Sequence, residues 1–217
     1  MYKTVVFDLD GTLLNTLTDL ADAGNRLCRK YGWPTHERQA YRYFVGNGIP
    51  KLVERLAPAD QRTPAVLEAA LADFKRDYGQ HLRDTTAPYP GIPEMLAKLK
   101  ANGVQLAVFS NKADALAKEV VKDYFGTQYF TIVRGQMTGV APKPAAEGTN
   151  ALLQALHADP ASTLYVGDSN VDVETAHNAN LPCCGAVWGF RTREELNAAG
   201  AEYLAENSDK LYDVIMK

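Results

Sequence analysis

The strongest constraint on this chain is the alternation of short apolar runs with helical patterns. Lys3–Asp8 is short, β-branched and apolar, and it ends abruptly in Leu9-Asp10-Gly11-Thr12, the form of a buried strand entering a polar loop. Similar runs recur at Gln105–Ser110, Tyr129–Val133, Thr163–Asp168 and Cys183–Trp188. Between them lie helix-spaced residues: Ile92, Met95, Leu96 and Leu99, stopped by Gly103; then Leu116, Val120 and Val121; then Leu152, Leu153 and Leu156; then Val173 and Ala176. Thr192 followed by Glu195 has the pattern of a capping box. This alternation predicts an α/β fold, a Rossmann-like parallel sheet covered by helices on both faces.

The alternation breaks once. Between Leu14 and Pro88 no strand pattern appears. Leu17, Leu20, Ala21, Gly24, Leu27, Cys28 and Tyr31 share a helix face, as do Ile49, Leu52, Val53 and Leu56. Thr63-Pro64 reads as an N-cap and first-turn proline, and Leu67, Leu71, Phe74, Tyr78 and Leu82 carry a long helix after it. At about 150 residues per domain, the 217 residues make one domain plus extra material. The expected organisation is an α/β core of residues 1–14 and 86–217 with an inserted α-helical cap domain of residues 15–85. No internal repeat or low-complexity segment is present.

Composition narrows the function classes. Hydrophobic residues make up 46% and charged residues 23%, an ordinary globular balance. A net charge of −3 supplies no basic field for nucleic acid or an anionic membrane, and no apolar run is long enough for a membrane span. The N-terminal residues lack a basic-then-apolar signal pattern. Three cysteines, Cys28, Cys183 and Cys184, cannot all pair, so a reducing, cytoplasmic setting is expected. The four histidines show no metal-ligand spacing.

Open parallel sheets bind ligands beyond the carboxyl ends of their strands. Asp8 and Asp10, Ser110-Asn111, and Asp168 with Asp172 all fall at such ends, and Pro142-Lys143-Pro144 precedes a helix nearby. Residues two apart on a strand share a face, so Asp8 and Asp10 should lie close, and close carboxylates repel unless a cation or shared proton compensates. Asp168 ends an apolar strand after Gly167, whereas Asp172 in a helix's first turn has helix capping as its plain alternative. Hard cations such as magnesium favour such oxygen ligands. Ser110 can bond a phosphate oxygen, and the flanking prolines fix the backbone of Lys143. Gly46-Asn47-Gly48 reads either as a plain interhelical turn or as a cap loop that selects substrate. Arg42, Lys51 and Arg55 nearby are either solvated helix charges or partners of a substrate anion.

Asp8-Leu-Asp-Gly-Thr-Leu, Ser110-Asn111, Lys143-Pro144 and Gly167-Asp168-x-x-x-Asp172 resemble the four motifs of the haloacid dehalogenase-like hydrolase superfamily, in order and spacing, and the helical insert resembles its cap. Val45-Gly46-Asn47-Gly48 and Tyr89-Pro90-Gly91 resemble the phosphoglycolate phosphatase-like branch. The resemblance implies a magnesium-dependent phosphatase acting on a small-molecule phosphate ester, possible as monomer or homodimer, with no nucleic-acid or membrane partner. It implies that Asp8 attacks phosphorus to form an aspartyl-phosphate and that Asp10 serves as acid and base. By the same resemblance, Asp8, the Asp10 carbonyl and Asp168 hold Mg2+, and Gly11, Thr12, Ser110, Asn111 and Lys143 bind phosphate. Asp172 then orients Lys143 or a metal-bound water, and Gly46, Asn47 and Gly48 govern substrate choice. A β-phosphoglucomutase-type sugar-phosphate mutase, a pyrophosphatase and a non-catalytic phosphate-binding protein are the alternatives on the same core. Dehalogenase chemistry needs no proton donor, and the presence of Asp10 argues against it.

Overall fold

The computed structural model describes residues 1–217 and divides into two compact units, Met1–Leu14 with Pro88–Lys217, and Asn15–Ala87. The first unit begins with strand β1 (Thr4–Phe7), whose four residues are all buried. The short strands β2 (Leu14–Asn15) and β3 (Ala87–Pro88) pair where the chain leaves and re-enters this unit. The remaining strands are β4 (Gln105–Ala113), β5 (Phe130–Gln136), β6 (Thr163–Gly167), β7 (Cys183–Ala186) and β8 (Tyr203–Ala205). They form one parallel sheet with β1 in the order β5-β4-β1-β6-β7-β8.

This order explains why β1 reads as an unbroken apolar run. It is flanked by β4 and β6, with Phe7 in register with Val108 and Val166, and both of its faces are covered. After β1 the sheet grows outward through β4 and β5, then reverses to the other side of β1 for β6. Such a reversal opens a crevice at the carboxyl ends of the flanking strands. Four helices of this unit are α5 (Ile92–Ala101), α6 (Asp114–Phe125), α7 (Ala146–Leu156) and α8 (Asn170–Asn178), and the last two bury Leu152, Leu156, Val173 and Ala176 in one cluster with Val6, Ala107 and Tyr165. Asn180 takes φ +56° just past α8, the left-handed turn that asparagine tolerates. The Thr192–Glu195 capping box forms at the start of the short helix Arg193–Ala198.

The boundaries differ from the sequence reading in informative ways. Strand β4 runs on to Ala113 instead of stopping at Ser110. Between Phe109 and Ala113 its register against β5 slips, with Ser110, Asn111 and Lys112 opposing the single residue Gly135. Ser110, Asn111 and Lys112 are consequently all buried, where a regular pleat would turn alternate side chains apart. Strand β7 ends at Ala186, and Trp188 instead bonds through Nε1 to the Thr12 carbonyl at 3.0 Å. Strand β8 and the terminal helix Ser208–Met216 have no counterpart in the sequence reading.

The second unit is entirely helical: α1 (Leu17–Tyr31), α2 (Arg38–Phe44), α3 (Ile49–Leu56), α4 (Pro64–His81) and one short 3-10 turn. The Thr63 hydroxyl accepts from the Val66 amide at the start of α4. Tyr41, Phe74 and Tyr78 fill its core without exposure. Helix α2 was not expected from the sequence, because seven residues carry too few apolar positions to display a period. No helix of either unit is long and apolar enough to cross a membrane.

A buried acid anchors this helical unit. Asp19 accepts from the amides and hydroxyls of both Thr85 and Thr86, at 2.5–3.2 Å, tying α1 to the end of the unit's chain. Truncation strands those donors, each costing on the order of 1 kcal/mol. Asp19→Ala is therefore expected to lower stability by about 3 kcal/mol in urea unfolding, and an unchanged midpoint would remove Asp19 from this role.

Candidate active site

Asp8 directly follows β1, and its amide still joins the ladder by donating to the Val166 carbonyl at 2.8 Å. Strand pairing ends there. Asp10 therefore sits in the tight turn from Leu9 to Leu14, not on the pleat of a strand. That turn is closed by Gly11, Leu13 and Leu14 amides donating to Leu14, Leu9 and Leu9 carbonyls. Gly11 stands at φ +89°, and a Cβ there would lie 2.3 Å from the Asp168 carboxylate. Gly189 presses on Asp168 from the other side, where a Cβ would come within 2.2 Å. Both positions admit glycine only.

Asp168 is held by two donors, the Thr12 hydroxyl at 3.0 Å and the Phe190 amide at 2.7 Å. Asp172 is the third residue of α8. Its Oδ2 accepts from the amide and hydroxyl of Ser169, completing a capping box, and its Oδ1 accepts from Lys143 Nζ at 2.7 Å. It thus caps a helix and orients the lysine at once.

Lys143 is buried among oxygens. Its Nζ lies 2.9 Å from Asp8 Oδ1, 3.2 Å from the Tyr165 hydroxyl and 3.3 Å from the Phe109 carbonyl. Burial pulls its pKa down, but the attraction of Asp172 and Asp8 outweighs that and raises it well above the ordinary lysine value. Asn111 fixes the lysine's backbone in both directions: its Oδ1 accepts from the Lys143 amide at 2.8 Å and its Nδ2 donates to the Lys143 carbonyl at 3.2 Å.

Carboxylate oxygens of Asp8, Asp168 and Asp172 lie within 4.8 Å of one another. Burial pushes Asp8 up to about 7 against the opposing pull of Lys143. Asp168 is driven well above the usual carboxylate range by burial and by its two acidic neighbours. Three buried carboxylates thus face one ammonium, which Asp8 and Asp172 share. Two acids in excess of the ammonium, Asp8 and Asp168 both pushed toward the protonated form, are what a hard divalent cation relieves, so the donor set fits magnesium. Asp168 faces no ammonium, and Asp8 shares that of Lys143 with Asp172, which lies nearer to it and also caps α8, so Asp8 and Asp168 are the candidate ligands.

Several expected phosphate contacts take a different form. The Gly11 and Thr12 amides point to carbonyls inside the turn, and the Thr12 hydroxyl is committed to Asp168. The side chain of Asn111 is committed to Lys143. These three residues shape the carboxylates and the lysine. Ser110, buried at the slip in β4, accepts from the Lys112 amide at 3.2 Å and keeps its own proton to donate. In the helical unit, Gly46 and Gly48 both take positive φ, and Asn47 Oδ1 accepts from Arg55 at 2.8 Å while the same guanidinium donates to the Phe44 carbonyl at 2.7 Å. Lys51 pairs with Glu54 on an exposed turn, as a solvated helix charge does.

The sequence reading missed Lys112, Gly189 and Phe190. Lys112 adjoins Ser110-Asn111, but that reading stopped the strand before it. Gly189 and Phe190 follow the fifth apolar run at the same edge, the one signal that could have drawn attention to them.

Residues 5–186 match the family model for haloacid dehalogenase-like hydrolases. A phosphoglycolate phosphatase of Chromobacterium violaceum is 31% identical over 216 residues, covering 98% of this chain and 96% of that protein. One from Thiobacillus denitrificans is 31% identical over 191 residues, covering 87% and 84%. A crystal structure from Lactobacillus delbrueckii subsp. bulgaricus, with a provisional phosphoglycolate phosphatase assignment, superposes with a TM-score of 0.93 at 28% identity, covering 99% of this chain and 98% of the other. The chain belongs to the haloacid dehalogenase-like hydrolases.

Proposed function

We propose that this hydrolase is a magnesium-dependent phosphatase that cleaves a small phosphate monoester through an aspartyl-phosphate on Asp8, with phosphoglycolate as the candidate its relatives suggest. The observation that carries the reading is Asp8 itself, a buried carboxylate past the central strand whose Oδ1 lies 2.9 Å from the Lys143 ammonium, with the buried acids Asp168 and Asp172 beside it.

An Asp8 oxygen attacks phosphorus in line while the ester P–O bond breaks, and the leaving alkoxide takes a proton from the Asp10 carboxyl. Water then attacks the phosphorus of the aspartyl-phosphate and gives its proton to Asp10, which frees inorganic phosphate and restores Asp8. Lys143 offsets the charge gathered on the phosphoryl oxygens, kept in place by Asp172 and Asn111, and Ser110 donates a hydrogen bond to one of those oxygens. Asp8, Asp168 and the Asp10 carbonyl would hold the metal. Bound magnesium supplies the positive charge that lets an anionic nucleophile approach an anionic ester. Phe190 and Thr12 hold Asp168 ready for this. The three unpaired, buried cysteines fit action in a reducing compartment such as the cytoplasm.

Asp8→Asn should cut phosphate release by about a thousandfold or more, as loss of a covalent nucleophile does, with an unchanged circular dichroism spectrum. Normal turnover by that variant would falsify the nucleophile assignment. EDTA should abolish activity and magnesium should restore it. Turnover that survives exhaustive chelation removes the metal from the reading.

Metal binding should also be visible in stability. The Asp8 carboxyl stands at about 7 in the folded protein against an ordinary 3.8. Between these values the metal-free folded state keeps a proton that the unfolded chain has lost. Its contribution to stability is therefore complete below the lower value and disappears as pH rises through the upper. The rise in Tm on adding magnesium to EDTA-treated protein should be small near pH 4 and largest above about pH 7. A magnesium effect that is flat across this window would contradict the prediction.

A further inference from the structure

Lys112 is a second buried lysine at the same strand edge, outside the motifs that mark the site. Its Nζ donates to Asp10 Oδ1 at 3.0 Å and lies 3.4 Å from Oδ2, so it spans both oxygens of that carboxylate. The Lys112 side chain is 3% exposed and that of Asp10 is 14% exposed, so the pair is shielded from the solvent screening that weakens surface ion pairs. The lysine reaches this position because of the register slip between Phe109 and Ala113. Its amide bonds the Ser110 hydroxyl oxygen at 3.2 Å, which fixes the backbone from which the side chain departs.

We infer that Lys112 is a positioning residue for Asp10: it holds the carboxylate so that one oxygen stays aimed at the atom that gains or loses the proton. Asp10 sits in a turn beyond the end of β1, joined to Leu14 by an isolated bridge, and backbone pairing does not fix its side-chain torsions. Proton transfer from a side chain falls steeply once the donor leaves hydrogen-bond reach of the accepting atom. A buried ammonium across both carboxylate oxygens supplies the restraint that the backbone does not. Lys143 and Lys112 therefore have separate tasks at the site, the first serving Asp8 and the transferred phosphoryl group, the second serving Asp10 and the leaving oxygen.

This inference rests on the reading of Asp10 as acid and base, and its test uses the chemistry of the leaving group. An alkoxide needs a proton to depart, whereas p-nitrophenolate leaves without one. The measurement is kcat/KM for glycerol phosphate and for p-nitrophenyl phosphate, with KM also taken for phosphoglycolate, each for the wild type, Lys112→Met, Lys112→Arg and Asp10→Asn. Lys112→Met should lose at least about tenfold more on glycerol phosphate than on p-nitrophenyl phosphate, a fraction of the effect a general acid supplies. Its KM should stay within about twofold on both, because a group acting only in the transition state does not alter ground-state binding. Retained p-nitrophenyl phosphate turnover is also the evidence that the variant folds. Lys112→Arg keeps the charge and should recover most of the glycerol phosphate activity.

Equal losses on the two esters overturn the inference. So does a KM rise confined to phosphoglycolate, which would make Lys112 a contact for the substrate's second anionic group. If Asp10→Asn shows the leaving-group selectivity and Lys112→Met does not, only the role of Lys112 falls. If Asp10→Asn itself shows none, the acid–base reading falls and the role of Lys112 with it.

Discussion

The site is organised by an unfavourable requirement: three carboxylates and a lysine are taken out of water at the carboxyl end of the central strand. Removing one charge from water costs several kcal/mol even after relaxation, and pairing compensates only when the remaining polar atoms are also satisfied. The surroundings of the cluster read as answers to that cost. Asp172 has Lys143 on one oxygen and the Ser169 amide and hydroxyl on the other. Asp168 has Thr12 and Phe190. Asp8 shares the Lys143 ammonium with Asp172, and burial still pushes its carboxyl up to about 7. The acid whose charge is only partly compensated is the one the proposed chemistry needs as nucleophile.

The sheet makes this concentration of charge possible. With β1 covered on both faces and flanked by β4 and β6, the three strands end together, and residues distant in sequence converge without long side chains having to reach. The slip in β4 adds what a regular strand could not. It brings Ser110, Asn111 and Lys112 inward in succession. One of them can meet a phosphate, one clamps the backbone of Lys143, and one spans the Asp10 carboxylate. A local irregularity therefore carries three tasks that alternation would have split between opposite faces.

How much of this could be read from the sequence follows from the range of each interaction. Strand β1, the helical insert and the cap of α8 were legible because burial and capping leave local patterns. Asp8 and Asp168 were legible because charged residues stand out at the ends of apolar runs, and Lys143 because two prolines flank it just before a helix. The commitments of Thr12 and Asn111 were not, since their partners lie 156 and 32 residues away. Lys112 was hidden by a register slip that only pairing with β5 defines. The expectation that Asp8 and Asp10 share a strand face assumed a longer strand, whereas β1 ends at Phe7 and Asp10 lies in the turn that follows.

The same reasoning explains why the chemistry is easier to read than the substrate. Attack on a phosphate ester requires charges of fixed sign in fixed relation, and few residue types supply them. Choice among esters depends on the shape of a pocket and on a few polar contacts, which many sequences can provide. In the helical unit the turn at Gly46-Asn47-Gly48 is not loose. Arg55 binds both the Asn47 side chain and the Phe44 carbonyl, so the turn is presented in one conformation. Arg55 is a structural support of the turn. Its contacts join residues eight and eleven apart and leave no sequence motif, so the turn stays ambiguous in the sequence while the carboxylates of the core stand out.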